Sequence, residues 1–198
     1  MKAITETEVE KVLSAAKSAR DRAMFFMAFR HGMRASEVCG LETRDLNLNG
    51  GWIRVRRVKG SLTTVQPLMK REIRLLEDWF IEREKMPYKS RFVFLSQKSE
   101  RIDRSQFFRI FRVAAEKAGL PPDKRHPHVL KHALGYMLAM KEVHVETIRH
   151  ALGHRSLSGT MVYIEIPEEV MNQRVEKALA KIDAAFDAPA GKQDDEED

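Results

Sequence analysis

GGWIRVRRVKGSLTTVQPL, residues 50–68, is the stretch of this 198-residue chain that alternates apolar and polar residues with period two. Trp52-Ile53-Arg54-Val55-Arg56 and Thr63-Thr64-Val65-Gln66 read as two antiparallel strands about a turn at Lys59-Gly60. Upstream the spacing is helical. Thr5-Glu6-Thr7-Glu8 is a capping box that leads into Val9, Val12, Leu13 and Ala16. A Met- and Phe-rich helix over Arg20–Phe29 stops at His31-Gly32, where glycine can take a left-handed cap. Arg34–Val38 opens a short helix. Downstream, Ile73, Leu76, Trp79 and Phe80 share one face of a helix over 71–84, and Phe92–Leu95 reads as a short third strand. Phe107, Phe108, Phe111, Ala114 and Ala118 form a further helical stripe, stopped by Gly119 and Pro121-Pro122. Residues 127–185 are helical in three or four pieces, broken near Gly153-His154 and Pro167. The fold class is therefore mainly α with a small antiparallel β-sheet (α+β). One domain covers residues 1–187, and an acidic tail over 188–198 is read as disordered.

Composition narrows the function. The chain carries 35 Lys and Arg against 29 Asp and Glu, net +6. Residues 190–198 hold one Lys and five acids, a net −4, so the other 189 residues carry +10. A body this basic points to a polyanionic partner. No apolar run reaches the ~20 residues of a membrane span. The N-terminal segment MKAITETEVEK has no apolar signal core. The single cysteine, Cys39, excludes an internal disulfide. A cytoplasmic protein without membrane attachment is expected. His126, His128 and His132 cluster, and His150 and His154 stand four apart. Gly153 interrupts that second spacing and no Glu follows His150, so the pattern is not that of a zinc site, and no metal is expected. The Met and Phe stripes read as core rather than as a cofactor box.

Four blocks remain: HGMRASE at 31–37, VKG at 58–60, HPHVLKH at 126–132, and LGH at 152–154 with Tyr163 nine residues on. Alone, each has an ordinary structural explanation, such as an Arg34–Glu37 pair or a solvated turn lysine. In this order and spacing they resemble the catalytic domain of the tyrosine recombinases (the phage integrase family). The look is especially that of the small fimbrial phase-variation recombinases, over roughly residues 5–170. The resemblance implies site-specific cleavage and rejoining of double-stranded DNA through a 3′-phosphotyrosyl intermediate. It implies Tyr163 as nucleophile, Arg34 as a clamp on the scissile phosphate, and Lys59 as general acid for the leaving 5′ oxygen. His128 and His154 would bond phosphate oxygens and assist proton transfer. It also implies that no cofactor, metal or ATP is required, because the covalent link conserves the phosphoester.

One position departs from the pattern. The family usually reads His-x-x-Arg, whereas this chain reads His128-Val129-Leu130-Lys131. Lysine has no bidentate fork, so Lys131 makes a weaker phosphate clamp. Removal of one preorganised donor slows such chemistry by ~10²–10³, and a working variant is expected. Arg54, Arg56, Arg57, Lys98, Arg101, Arg104, Lys124, Arg125 and Arg155 are candidates for a DNA-binding face. Only a few residues precede the first helix, so a separate N-terminal clamping domain is not expected on this chain. It is either a catalytic fragment or a naturally short enzyme. The helix over 168–185 is expected to dock on a neighbouring protomer in a homo-tetramer assembled on DNA from solution monomers. The rival readings are a catalytically impaired DNA-binding relative and a type IB topoisomerase-like relaxase.

Overall fold

The computed structural model describes residues 3–58, 60–87, 89–96, 101–164 and 168–187. Helix α1 (Glu6–Ser14) begins at the expected capping box: the Thr5 hydroxyl accepts from the Glu8 amide at 3.2 Å, and the Glu8 carboxylate accepts from the Thr5 amide at 2.7 Å. Helix α2 (Ala19–Arg30) is apolar on nearly every side, as a central helix must be. Every residue from Ala23 to Phe29 is buried, and α2 packs against α4 (Lys70–Glu84), α6 (His128–Met140) and the shorter α3 (Ala35–Cys39). The Phe25 ring anchors this centre, edge-on to Phe111 at 5.3 Å and tilted to Phe107 at 6.0 Å, both from α5 (Arg104–Lys117). Gly32 takes φ +53°, and a Cβ there would lie 2.8 Å from a Leu152 methyl. That glycine turns the chain tightly from α2 towards Arg34.

The hairpin forms where the alternation puts it. Strand β2 (Trp52–Val55) pairs antiparallel with β3 (Thr64–Pro67), with Ile53 opposite Gln66 and Val55 opposite Thr64. Ile53 and Val55 are fully buried while Arg54 points outward, as a sheet with one wet face requires. The third strand is not 92–95. It is β1 (Leu46–Asn47), which pairs with Trp52 and Ile53. Phe92–Leu95 is instead a buried connecting segment, tied by an isolated bridge to Glu42, by the Val93 amide to Leu41 O, and by the Trp79 indole to Val93 O. An apolar run alone cannot distinguish a strand from a buried extended segment. Phe108 is a second correction: it is 41% exposed, because α5 covers the core with one face, Phe107 and Phe111 lie on that face, and Phe108 points about 100° away from Phe107.

The C-terminal third is helical in four pieces: α6, α7 (Val145–Leu152), α8 (Ser158–Met161) and α9 (Glu168–Asp187). Helix α7 ends at Gly153 in the left-handed region, φ +66°. The chain divides into two units, 1–164 and 165–198. The described part of the second is α9, with Val175, Leu179 and Ile182 exposed. The acidic tail over 188–198 and the Ile166-Pro167 break lie outside the described residues. No helix among the described residues is long and apolar enough to cross a membrane.

Candidate active site

Arg34 is the N-cap residue of α3, and two anchors hold it. Its backbone amide donates to Glu37 Oε2 at 2.8 Å, while its guanidinium donates to Glu37 Oε1 at 3.1 Å and to Ser61 Oγ at 2.8 Å. The side chain keeps 33% exposure, enough to meet an anion. Glu37 is completely buried. Burial alone would raise its pKa, yet the Arg34 amide and the Arg57 guanidinium hold it below the usual carboxylate value.

Arg57 is the hidden member of this group. Its side chain has no exposure, pairs with Glu37 at 3.1 Å, and donates to Gly32 O, His31 O and Ala151 O at 2.7–2.9 Å. It therefore ties the hairpin to α3, to the α2–α3 turn and to α7. Gly153 belongs to the same joint, since a Cβ there would overlap Arg57 Nε. The loop after Arg57 continues the docking: Leu62 N–H donates to Gly153 O at 3.0 Å, and Ser61 bridges His154. Lys59, placed on this hairpin by the sequence, lies outside the described residues.

His128 opens α6 and is exposed, lining a cleft of ≈ 680 Å³ with Arg34, Ser36, Arg104 and Phe108. One turn on, Lys131 is only 7% exposed and donates to Leu152 O at 2.7 Å. Burial, and then the positive charges of Arg57 and Arg34, push its pKa down to about 7. His154 is oriented by Thr160 Oγ1, 2.9 Å from its Nδ1, and burial followed by the Lys131 charge pushes its pKa down to about 4.

Tyr163 follows α8 and is buried, 5% exposed. Its ring lies near parallel to His154 (6.3 Å, 13°) and edge-on to Tyr136 (5.2 Å, 88°). Its hydroxyl is 3.0 Å from His132 Nδ1. Beneath it is Gly135, where a Cβ would come within 2.7 Å of the phenol ring. Burial, with Tyr136 adding, pushes the Tyr163 pKa up to about 12. The phenol is thus protonated at rest.

This arrangement can grip a phosphodiester between cations and present an oxygen nucleophile to it. The sequence profile of the phage integrase family matches residues 2–169. Type 1 fimbriae regulatory protein FimE of Escherichia coli K12 is 39% identical over 166 residues, covering 81% of this chain and 83% of FimE. FimB of the same strain is 35% identical over 165 residues, covering 81% and 82%. The chain belongs to the phage integrase family. Site-specific recombination of DNA, by a tyrosine recombinase, is the activity that membership carries. The crystal structure of XerH site-specific recombinase in a pre-cleavage complex with its difH substrate superposes with a TM-score of 0.76 at 28% identity. That match covers 90% of this chain and 54% of the XerH chain, so this chain spans about half the length of that solved relative.

Within this recombinase the basic residues sort by exposure. Arg54, Arg104 and Arg155 are exposed, with Arg104 at the cleft mouth. Arg101 is exposed and lies over the Phe92 ring. Arg56 is 41% exposed but committed to Asp45 at 2.8 Å. Arg125 is bonded to Leu120 O and Glu116, and Lys124 to Ala3 O. Arg57 does not belong on a DNA-facing surface: its charge is spent on Glu37 and three carbonyls. Lys98 lies outside the described residues. His132 and Gly135 were the residues that sequence reasoning undervalued. A glycine in the middle of a helix costs about 1 kcal/mol relative to alanine, and that was the available signal for a close approach. Among the described residues, no three His, Cys, Asp or Glu side chains converge as ligands.

Proposed function

We propose that this recombinase cleaves duplex DNA by attack of the Tyr163 hydroxyl on the scissile phosphate, leaving a 3′-phosphotyrosyl link and a free 5′ hydroxyl. Arg34 and Lys131 neutralise the phosphoryl oxygens, His128 and His154 hydrogen-bond them, and Lys59 protonates the leaving oxygen. The observation that carries this reading is the shared cleft: Arg34 and His128 line it, Lys131 lies one helical turn beyond His128 and donates to Leu152 O, and His154 beside that carbonyl stacks on Tyr163. Arg54, Arg104 and Arg155 are exposed cations that follow the DNA backbone, with Arg101, Arg56 and Arg125 at its margin. Residues 1–187 act as one catalytic unit, with α9 docking on a neighbouring protomer. Four protomers assemble on paired sites in the cytoplasm. The relatives favour neither the non-catalytic reading nor the relaxase reading.

Covalent trapping tests the proposal. Nicked duplexes drawn from DNA flanking the gene are incubated with the protein and resolved on denaturing gels. The wild type should form an adduct and Tyr163→Phe none. Salt-sensitive DNA binding without any adduct from the wild type would refute the cleavage mechanism.

A further inference from the structure

The resting nucleophile poses a chemical problem. A phenol buried to 5% exposure, with a pKa pushed up to about 12, does not ionise at neutral pH. Attack on phosphorus requires the phenolic proton to leave as the O–P bond forms, so a base must stand within hydrogen-bond reach. His154 is occupied: its Nδ1 is 2.9 Å from Thr160 Oγ1, and its ring lies alongside the phenol rather than at the hydroxyl. The hydrogen bond that the Tyr163 hydroxyl makes among the described residues runs to His132 Nδ1, at 3.0 Å.

We propose that His132 is the general base that takes the Tyr163 proton during strand cleavage. This rests on the reading of Tyr163 as nucleophile. In the neutral imidazole the proton sits on Nε2, and the Nδ1 lone pair faces the phenol. As Tyr163 Oη bonds to phosphorus, the P–O5′ bond breaks and the phenolic proton passes to Nδ1. A proton from a separate acid, the role assigned to Lys59, completes the 5′ hydroxyl. Rejoining runs in reverse: the 5′ hydroxyl attacks the phosphotyrosine, and the imidazolium returns its proton to the departing Tyr163 oxygen.

The surroundings suit the role. From α6 and the segment before it, His128, His126 and Lys131 face His132. From the other side come Tyr163 and His154, and Tyr136 packs edge-on to the Tyr163 ring. Burial, then the positive charge on those α6-side neighbours, lowers the His132 pKa, so the ring is neutral and ready to accept at physiological pH. Gly135, one turn along the same helix, seats the ring and so fixes the hydroxyl against Nδ1.

The test is single-turnover adduct formation on a nicked duplex by the wild type and by His132→Asn, whose Oδ1 keeps an acceptor near the Nδ1 position but cannot take a proton. At pH 7 the variant should be slower by about 10²–10⁴. Hydroxide can replace the missing base, so the wild-type to variant ratio should fall about tenfold per unit between pH 6.5 and 9. Taking the ratio at each pH cancels titrations that both proteins share. A substrate with a 5′-bridging sulfur, which needs no leaving-group acid, should not rescue the variant. Equal rates, a pH-independent ratio, or rescue by sulfur would overturn the assignment while leaving the nucleophile intact. An independent reading uses the folded wild type alone: ¹⁵N shifts should place the His132 proton on Nε2, and a proton on Nδ1 would overturn the proposal. Absence of an adduct from the wild type overturns the cleavage mechanism, and this inference with it.

Discussion

Lys131→Arg isolates one charge whose sign of effect follows from the structure. The ammonium is 7% exposed, has one carbonyl partner at 2.7 Å, and sits among the positive charges of Arg34 and Arg57. Its pKa of about 7 lies well below the ordinary lysine value of 10.5. With that value, about a tenth of the free enzyme carries the charge at pH 8 and about a hundredth at pH 9. A clamp that works only as a cation then loses about tenfold in second-order cleavage rate per pH unit above 7. Arginine stays protonated throughout this range, so Lys131→Arg should hold a flat profile and overtake the wild type by up to about two decades at pH 9. Bound phosphate stabilises the ammonium, so the wild-type fall at saturating protein should begin at higher pH than the fall at low protein. The assay is adduct formation under single-turnover conditions from pH 6 to 9, at limiting and at saturating protein. A flat wild-type profile, or the same fall in the arginine variant, would refute the argument. Stability has its own sign. The folded pKa is below the unfolded one, so the unfolded chain binds more protons between about pH 7 and 10.5, and the wild type should gain stability as pH rises through that window.

Three further outcomes follow from the same geometry. Gly135→Ala adds a methyl within 2.7 Å of the Tyr163 ring. Melting temperature should hold or fall, because overpacking against the buried ring costs about 1–3 kcal/mol and offsets the roughly 1 kcal/mol by which alanine favours the helix, while cleavage falls about 10²-fold through misplacement of the hydroxyl; unchanged cleavage would show that the seat is unimportant. Arg57→Met removes one of the two arginines that compensate the buried Glu37 and leaves the His31, Gly32 and Ala151 carbonyls without this donor; it should cost about 3–5 kcal/mol in denaturant unfolding, with the salt dependence of DNA binding unaltered. Arg104→Ala should leave stability within about 0.5 kcal/mol and reduce the slope of log affinity against log salt by about 0.9, measured by titration at several salt concentrations.

Helix starts, the position of the hairpin and the order of the site blocks were legible in the sequence because each is set by local chemistry. The Thr5–Glu8 box, the Ile53/Val55 alternation and the glycines at 32 and 153 are decided within a few residues. The errors arose where partners are distant. Leu46-Asn47 is too short to show a period, and becomes a strand only because Trp52 and Ile53 lie opposite. Phe92–Leu95 has the composition of a strand, but its hydrogen bonds are scattered over Leu41, Trp79, Arg83, Ile102 and Arg20 rather than running along one partner strand. Arg57 looks like any other arginine in a basic hairpin. Its burial follows from Glu37, twenty residues away, and from the Ala151 carbonyl. Charge state is equally invisible in one dimension, since Lys131 takes its low pKa from burial and from arginines on two other segments, Arg57 and Arg34.

Those same groups define what a lysine at position 131 can do that an arginine cannot. Arg34 and Arg57 both bear on Lys131, and Glu37 is the one acid among the charges acting on it. Glu37 is already shared between the two arginines, so a third cation beside them is under-compensated until DNA arrives. Guanidinium cannot shed its proton, and an arginine here would impose that repulsion on the empty site at every pH. Lysine can shed it. The empty site relaxes by losing a proton to solvent, and an incoming phosphate calls the proton back as its negative charge is buried. The clamp is then weaker than a permanent fork in the free enzyme and strengthened by the substrate itself. DNA binding should therefore take up protons above pH 7, and by linkage that uptake must equal the pH slope of the affinity. Calorimetry in two buffers of different ionisation enthalpy measures it directly. Uptake at pH 8 that disappears in Lys131→Arg is the expected result, and uptake that survives the substitution would assign the proton to another group.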